Sequence, residues 1–205
     1  MSAVFPIVLM RHFPTQDDFD ERYTAVDSSV APIPIDTDIV NSLHGQLLRI
    51  SQRLGISKIY CADNNRALQT AHILAEGSSL SVSSTPLLRN ISCSQWAGLT
   101  EHEAERAFPS LYQLWHTRPL SVRFNDGESL TDVADRLVSF LGVANSACVV
   151  ITHTTPFQVL ICLCLGISLD NVWRFKPEHF AFTVIHDQVL WALNASNLEV
   201  LTFKL

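Results

Sequence analysis

The stretch Val8-Leu9-Met10-Arg11-His12-Phe13-Pro14-Thr15 decides how this chain is read. An apolar run from Ala3 to Met10 stops abruptly at an arginine and a histidine. A run of that length and apolarity suits a buried, parallel strand. Open α/β sheets gather ligands at the carboxyl ends of their strands. A cation beside an imidazole at such an end suits phosphate. The guanidinium fork matches phosphate oxygens, and imidazole serves as nucleophile or proton carrier.

Working outward, the same pattern returns twice. Lys58-Ile59-Tyr60-Cys61-Ala62 reads as a strand that turns, through Asp63-Asn64-Asn65, into a helix with Ala67, Leu68, Ala71, Ile73, Leu74 and Ala75 on its apolar face. Asp63 or Asn64 caps it, which puts Arg66 in the first turn. A cation there opposes the helix dipole, and a bound anion resolves the conflict. Ala147 to Thr152 is the clearest buried strand; it ends in His153-Thr154-Thr155-Pro156, with a helix expected over Phe157–Leu165 and Pro156 as its first residue. Arg11, His12, Arg66 and His153 therefore converge on one sheet edge. Two arginines and two histidines without a carboxylate cluster make a poor metal site and a good phosphoryl pocket, so no metal and no cofactor is expected.

The intervening segments complete an α/β pattern. Gln16 to Asp38, interrupted by Pro32 and Pro34, reads as a polar loop bordering the site; Thr37–Leu54 has helical apolar spacing, with Asp36 or Thr37 as cap and Gly55 as stop. Ser81–Leu88 reads as a short strand and Arg89–Thr100 as an irregular loop. Thr100-Glu101-His102-Glu103 opens a helix with a capping box, and Leu111–Trp115 continues a helical insertion that ends at Asp126-Gly127-Glu128-Ser129. Ser129 caps a helix carrying Leu130, Val133, Ala134, Leu137, Val138 and Leu141. Phe182–Ile185, Val189–Leu193 and Leu198–Phe203 read as antiparallel strands, the first two joined at His186-Asp187-Gln188. The expected architecture is a three-layer α/β sandwich. It has a mostly parallel sheet, helices on both faces, and a single domain over 1–205 with an insertion at about 89–126.

Composition narrows the function. The net charge of −6, without a Lys/Arg cluster, argues against nucleic-acid binding and suits a local basic site for a small anion. The longest apolar run, Val159–Ile167, is too short to span a bilayer, and the N-terminus lacks signal-peptide character. A soluble, cytoplasmic protein is expected, with no membrane partner. Five cysteines without metal spacing fit reduced thiols, those at 148, 162 and 164 buried. The apolar Leu198–Phe203 segment leaves oligomerisation open.

In this order the motifs resemble the histidine phosphatase superfamily, the phosphoglycerate-mutase-like fold, and within it the phosphatase branch near the alpha-ribazole phosphatase and cofactor-dependent mutase families. Arg11-His12 with Thr15 resembles the first motif, Arg-His-Gly and a following threonine. Arg66-Ala67-Leu68-Gln69-Thr70-Ala71 is similar to the second. Trp96-Ala97-Gly98-Leu99, Gly127-Glu128-Ser129 and Thr152-His153-Thr154 follow in family order. The resemblance implies that His12 attacks phosphorus and carries a phosphohistidine. Arg11, Arg66 and His153 would clamp the phosphoryl oxygens, and Thr15, Asp18, Asn90 and Thr154 would border the bound group. The substrate would be a small phosphorylated metabolite, with inorganic phosphate as product.

Five positions depart from the family pattern. Asn90 stands where a glutamate usually acts as acid, Phe13 replaces glycine and is expected to crowd the phosphate loop, Ala62 replaces serine, Asp18 replaces asparagine and Thr154 replaces glycine. Asp18, Asp126 and Glu128 are the candidates for a displaced acid; Glu128 also reads as a cap or ion-pair residue. The missing glutamate and the few basic residues favour hydrolysis over return transfer to a bound product. A catalytically silent phospholigand-binding or interaction protein is the alternative. His116 and Arg118 in the insertion, and His179 near Lys176, are lesser candidates for ligand contact.

Overall fold

The computed structural model describes residues 5–197. The apolar run becomes β1 (Ile7–Arg11), whose first four residues are buried. Lys58–Ala62 forms β2, Ser81–Thr85 β3, Cys148–Thr152 β4, Phe182–His186 β5 and Val189–Ala195 β6. They make one sheet in the order β3-β2-β4-β1-β5-β6. The first four strands of that order are parallel, and β5 and β6 run antiparallel at one edge. The expected α/β fold is therefore present.

Register positions the site. Arg11 lies opposite Thr152 in the β1–β4 pair, so His12 and His153 leave the sheet side by side. The His12 amide donates to the Thr152 carbonyl at 3.0 Å, extending the ladder one residue past the strand. β2 lies on the other side of β4 and delivers Asn64 and Arg66 to the same edge.

Helices follow the apolar spacing. Thr37–Leu54 buries Leu43, Leu47 and Ile50, is capped by the Asp36 carboxylate, and ends at a left-handed Gly55. Asn65–Ala75 buries Ala67, Ala71 and Leu74. Leu130–Val143, capped by Ser129, packs against Thr154–Leu165, which is apolar nearly all round and correspondingly buried. Glu101–Ala107 and Pro109–Thr117 occupy the segment expected to be helical between the third and fourth strands. With the four-residue helix Gln16–Phe19, these are named in chain order α1 (16–19), α2 (37–54), α3 (65–75), α4 (101–107), α5 (109–117), α6 (130–143) and α7 (154–165).

Four local readings need correction. The loop expected over Gln16–Asp38 opens with α1, because the Asp18 carboxylate accepts from the Thr15 amide and hydroxyl at its start. α7 begins at Thr154, not Phe157, so Pro156 occupies its third position; amides of the whole first turn lack intrahelical acceptors, and proline loses nothing there. The strand expected over Ser81–Leu88 stops at Thr85 and becomes a 3-10 turn, Pro86–Leu88, capped by the Thr85 hydroxyl. Phe13 does not crowd the site: it has a negative φ, is fully buried, and sets its ring 5.5 Å from that of Phe180. The strand expected over Leu198–Phe203 lies outside the described residues.

One glycine is held by close approach. A Cβ on Gly127 would sit 2.2 Å from the Ser92 carbonyl oxygen and 2.9 Å from Phe124 Cβ. Both neighbours are fixed, since the Ser92 carbonyl accepts from the Glu128 amide at 2.9 Å. Gly127→Ala is expected to destabilise the fold by about 2 kcal/mol or more, the usual cost of overpacking. A melting temperature lower by roughly 5 °C, read by calorimetry, checks this.

Candidate active site

Arg11, His12, Arg66 and His153 line one cavity of about 380 Å³, and Asp18, Asn90 and Thr154 join them. That volume suits a small metabolite. The imidazole of His12 is 4.9 Å from that of His153, centre to centre.

His12 is held neutral with one ring nitrogen free. Its Nδ1 donates to the Phe13 carbonyl at 2.7 Å, which fixes the tautomer and leaves the lone pair on Nε2. Burial, with Arg11 close by, pushes its pKa down to about 3, so the ring is neutral across the physiological range. His153 is held far below its usual range by burial and the nearby His12 and arginines. Its Nε2 accepts from Asn64 Nδ2 at 2.9 Å, so the ring proton sits on Nδ1, a buried donor with no partner.

The cations are arranged for an anion. Arg66 is 1% exposed, and both terminal nitrogens of its guanidinium are buried without a partner. Burial lowers its pKa to about 10, which leaves it charged. Arg11 pairs with Asp18, and its Nε is also unpartnered. Backbone amides add to this set, because His153 is the N-cap of α7 and Thr154 and Thr155 open its first turn.

Asp18 is tied from several sides. Its Oδ2 accepts from the Thr15 amide and hydroxyl, both at 2.7 Å, and His179 Nε2 lies 3.6 Å from its Oδ1. Burial works against its charge, but His179, Arg11, His12 and Thr15 outweigh it and hold the carboxyl well below the usual carboxylate range. Asp18 thus keeps no proton at neutral pH, which corrects its expected candidacy as an acid. Thr15 is fully buried and serves Asp18 instead of lining the cavity. Asp126 and Glu128 do not line it either. Asp126 is exposed in a turn at φ +51°. Glu128 bridges Arg136 at 2.8 Å and accepts from the Ser92 amide at 2.9 Å. Arg136 in turn donates to the carbonyls of Leu87 and Asn90, so this pair holds the segment that carries Asn90.

Several contributors carry roles that the sequence did not show, although His179, His116 and Thr70 stand among the residues it singled out. Asn64 bonds His153 across 89 positions of chain. His179 donates from Nδ1 to the His12 carbonyl at 2.9 Å. Thr70 ties two motifs together, accepting from the Phe13 amide at 2.9 Å and donating to the Arg66 carbonyl at 2.7 Å. The outer wall adds Asp17, Glu21, Glu101, His116, Trp173 and Lys176.

Residues 42–193 match the family model described as "Histidine phosphatase superfamily (branch 1)". The chain belongs to the histidine phosphatase superfamily. A curated relative, phosphoserine phosphatase 1 of Hydrogenobacter thermophilus, is 27% identical over 188 residues, covering 88% of this chain and 85% of the relative. Among solved structures, the alpha-ribazole phosphatase of Shigella flexneri superposes with a TM-score of 0.78 at 19% identity, covering 96% of this chain and 99% of the other. A mycobacterial glucosyl-3-phosphoglycerate phosphatase, complexed with VO3, gives 0.76 at 22% identity, covering 94% and 100%. These likenesses show the same fold. Among the described residues no helix is long and apolar enough to cross a membrane.

The two buried histidines give a stability signature. An unfolded histidine titrates near 6.5, while folded His12 does so near 3. Between those values the unfolded chain binds more protons, so stability is full above pH 6.5 and declines as pH falls toward 3. From pH 6.5 to 5 His12 is expected to cost about 2 kcal/mol, and the lowered His153 acts in the same direction. Thermal melts across this range should show the decline, with a shallower slope for His12→Gln.

Proposed function

We propose that the chain is a phosphohydrolase in which His12 takes the phosphoryl group as a phosphohistidine, which water then hydrolyses. The observation that carries this reading is the pairing of a neutral His12, its Nε2 lone pair free, with buried donors that lack partners on Arg66, Arg11 and His153. In-line attack by Nε2 on phosphorus spreads charge over the non-bridging oxygens, and the guanidinium groups and His153 Nδ1 stabilise that charge. The arginines supply the positive charge, so the scheme calls on no metal. Asp18 keeps Arg11 oriented, and the α7 amides complete the oxygen cradle. Relatives bearing phosphatase names support hydrolysis as the outcome, and the cavity size supports a small phosphorylated substrate.

Rapid quench with a labelled aryl phosphate tests the mechanism. An acid-labile, base-stable phosphoryl adduct on the peptide containing His12 is expected, persisting with chelator present. Turnover without an adduct on His12 overturns the scheme. Asn90 favours a second reading, a binding module without turnover. It would show as an absence of phosphate release while phosphate still raises the melting temperature.

A further inference from the structure

We propose that the site acts on phosphoramidates, small molecules whose phosphoryl group is joined by a P–N bond to a basic nitrogen. This rests on the phosphohydrolase reading above and narrows its substrate.

The unpartnered atoms of the cavity carry the inference. Buried donors without partners lie on Arg66, Arg11, His153 and Trp96, and a phosphoryl group supplies oxygens for them. Asn90 Oδ1 is different: it is a buried acceptor without a partner, on a residue lining the same cavity. An acceptor beside a phosphate clamp calls for a donor on the ligand. A phosphoramidate nitrogen carries that N–H on the bridging atom. An ester or acyl phosphate presents an oxygen there and leaves Asn90 unpaired.

Proton balance points the same way. Asn90 cannot donate a proton as an acid, Asp18 is held ionised, Asp126 and Glu128 lie off the cavity wall, and the remaining protonatable side chains Asp17, Glu21, Glu101 and His116 stand on its outer wall. An alkyl phosphate dianion attacked by His12 would expel an alkoxide, which needs an acid. A phosphoramidate protonated on nitrogen needs none. His12 Nε2 bonds to phosphorus, the P–N bond breaks, and its electron pair stays on nitrogen, which departs as a neutral amine. Water then attacks phosphorus, the bond to Nε2 breaks, and dihydrogen phosphate leaves with neutral His12. Charge and protons balance in both steps. The half-buried Asp17 and the exposed Glu21 on the outer wall suit a basic leaving group, while Glu101 there already accepts from the Tyr112 hydroxyl at 2.6 Å. Arg22, also there, is engaged by Glu103 at 3.2 Å, leaving Lys176 as the opposing cation on that wall.

The test compares kcat/KM for an N-phosphorylated alkylamine, the alkyl phosphate of matched size, acetyl phosphate and 4-nitrophenyl phosphate. The P–N compound is expected to exceed the alkyl ester by about 10²-fold, the range a missing general acid costs. Asn90→Ala should lower the P–N rate about tenfold and change acetyl phosphate by less than about twofold, the loss of one hydrogen bond to a charged group. Asn90→Leu, close in size, answers the same question if the alanine variant fails to fold. Asn90→Glu should raise alkyl-ester hydrolysis at least about tenfold. An alkyl ester turned over as fast as the P–N compound overturns the inference, and its loss in Asp17→Asn or Glu101→Gln would locate the acid. Equal losses on P–N and acetyl phosphate in both Asn90 variants also overturn it. No turnover of any compound, 4-nitrophenyl phosphate included, sinks the phosphohydrolase reading itself.

Discussion

His12→Ala is expected to reduce turnover by on the order of 10⁴- to 10⁶-fold, the scale seen when an enzyme loses its nucleophile, while leaving phosphate binding measurable. The two effects separate because attack and clamping fall to different atoms. In the proposed scheme the attacking lone pair is that of His12 Nε2, whereas the unpartnered donors for the oxygens belong to Arg66, Arg11 and His153. Removing the imbalance of a buried neutral ring costs little in charge, since His12 carries none at neutral pH. The variant should therefore fold, melt cooperatively, and still gain stability from phosphate. Phosphate release measured over hours, beside calorimetry with and without phosphate, gives both halves. A variant that keeps even a hundredth of the parent turnover would mean that some other group attacks phosphorus.

The fold was legible because the strands that matter are buried on both faces and so read as unbroken apolar runs, as Ile7–Met10 and Cys148–Ile151 do. The convergence of Arg11, His12, Arg66 and His153 followed from strand ends alone, and Arg66 stood out because its charge is wrong for a first helical turn. Proline's preference for the first helical position points to a start of α7 at Pro156, but the third position is equally free of intrahelical bonds and the helix begins at Thr154. Thr15-Gln16-Asp17-Asp18 has capping-box spacing, which ties the Asp18 carboxylate to Thr15 and removes it as an acid. Glu128 could be read either way, and its bridge to Arg136 became visible only once α6 lay against the Leu87–Asn90 segment. Asn64 reads only as a helix cap and His179 only as a lesser ligand candidate near Lys176, and neither pattern shows its histidine partner. Each serves a histidine remote in sequence, and only the sheet order brings them together.

Arg66→Met is expected to stabilise the free protein and to disable it. In the free chain Arg66 is 1% exposed with both terminal nitrogens unpartnered, and burial lowers its pKa from 12.5 to about 10. That difference corresponds to about 3 kcal/mol spent on keeping the charge in place. Asp18 and Asp17 offset part of the cost without contacting those nitrogens. Methionine fills similar space with no charge to bury, so the melting temperature should rise by several degrees, at roughly 2–4 °C per kcal/mol for a chain of this size. Two charge-assisted hydrogen bonds to the phosphoryl oxygens are lost at about 1.5–3 kcal/mol each, so kcat/KM should fall by about 10²- to 10⁴-fold. The stabilisation that phosphate gives the parent should vanish as well, which ties both effects to one side chain. Arg66→Lys should recover little, since a point charge does not reproduce the two-pronged grip. A melting temperature that drops in Arg66→Met would show that the guanidinium holds the fold together. A rise with activity lost would show a site kept strained for the anion it has to bind.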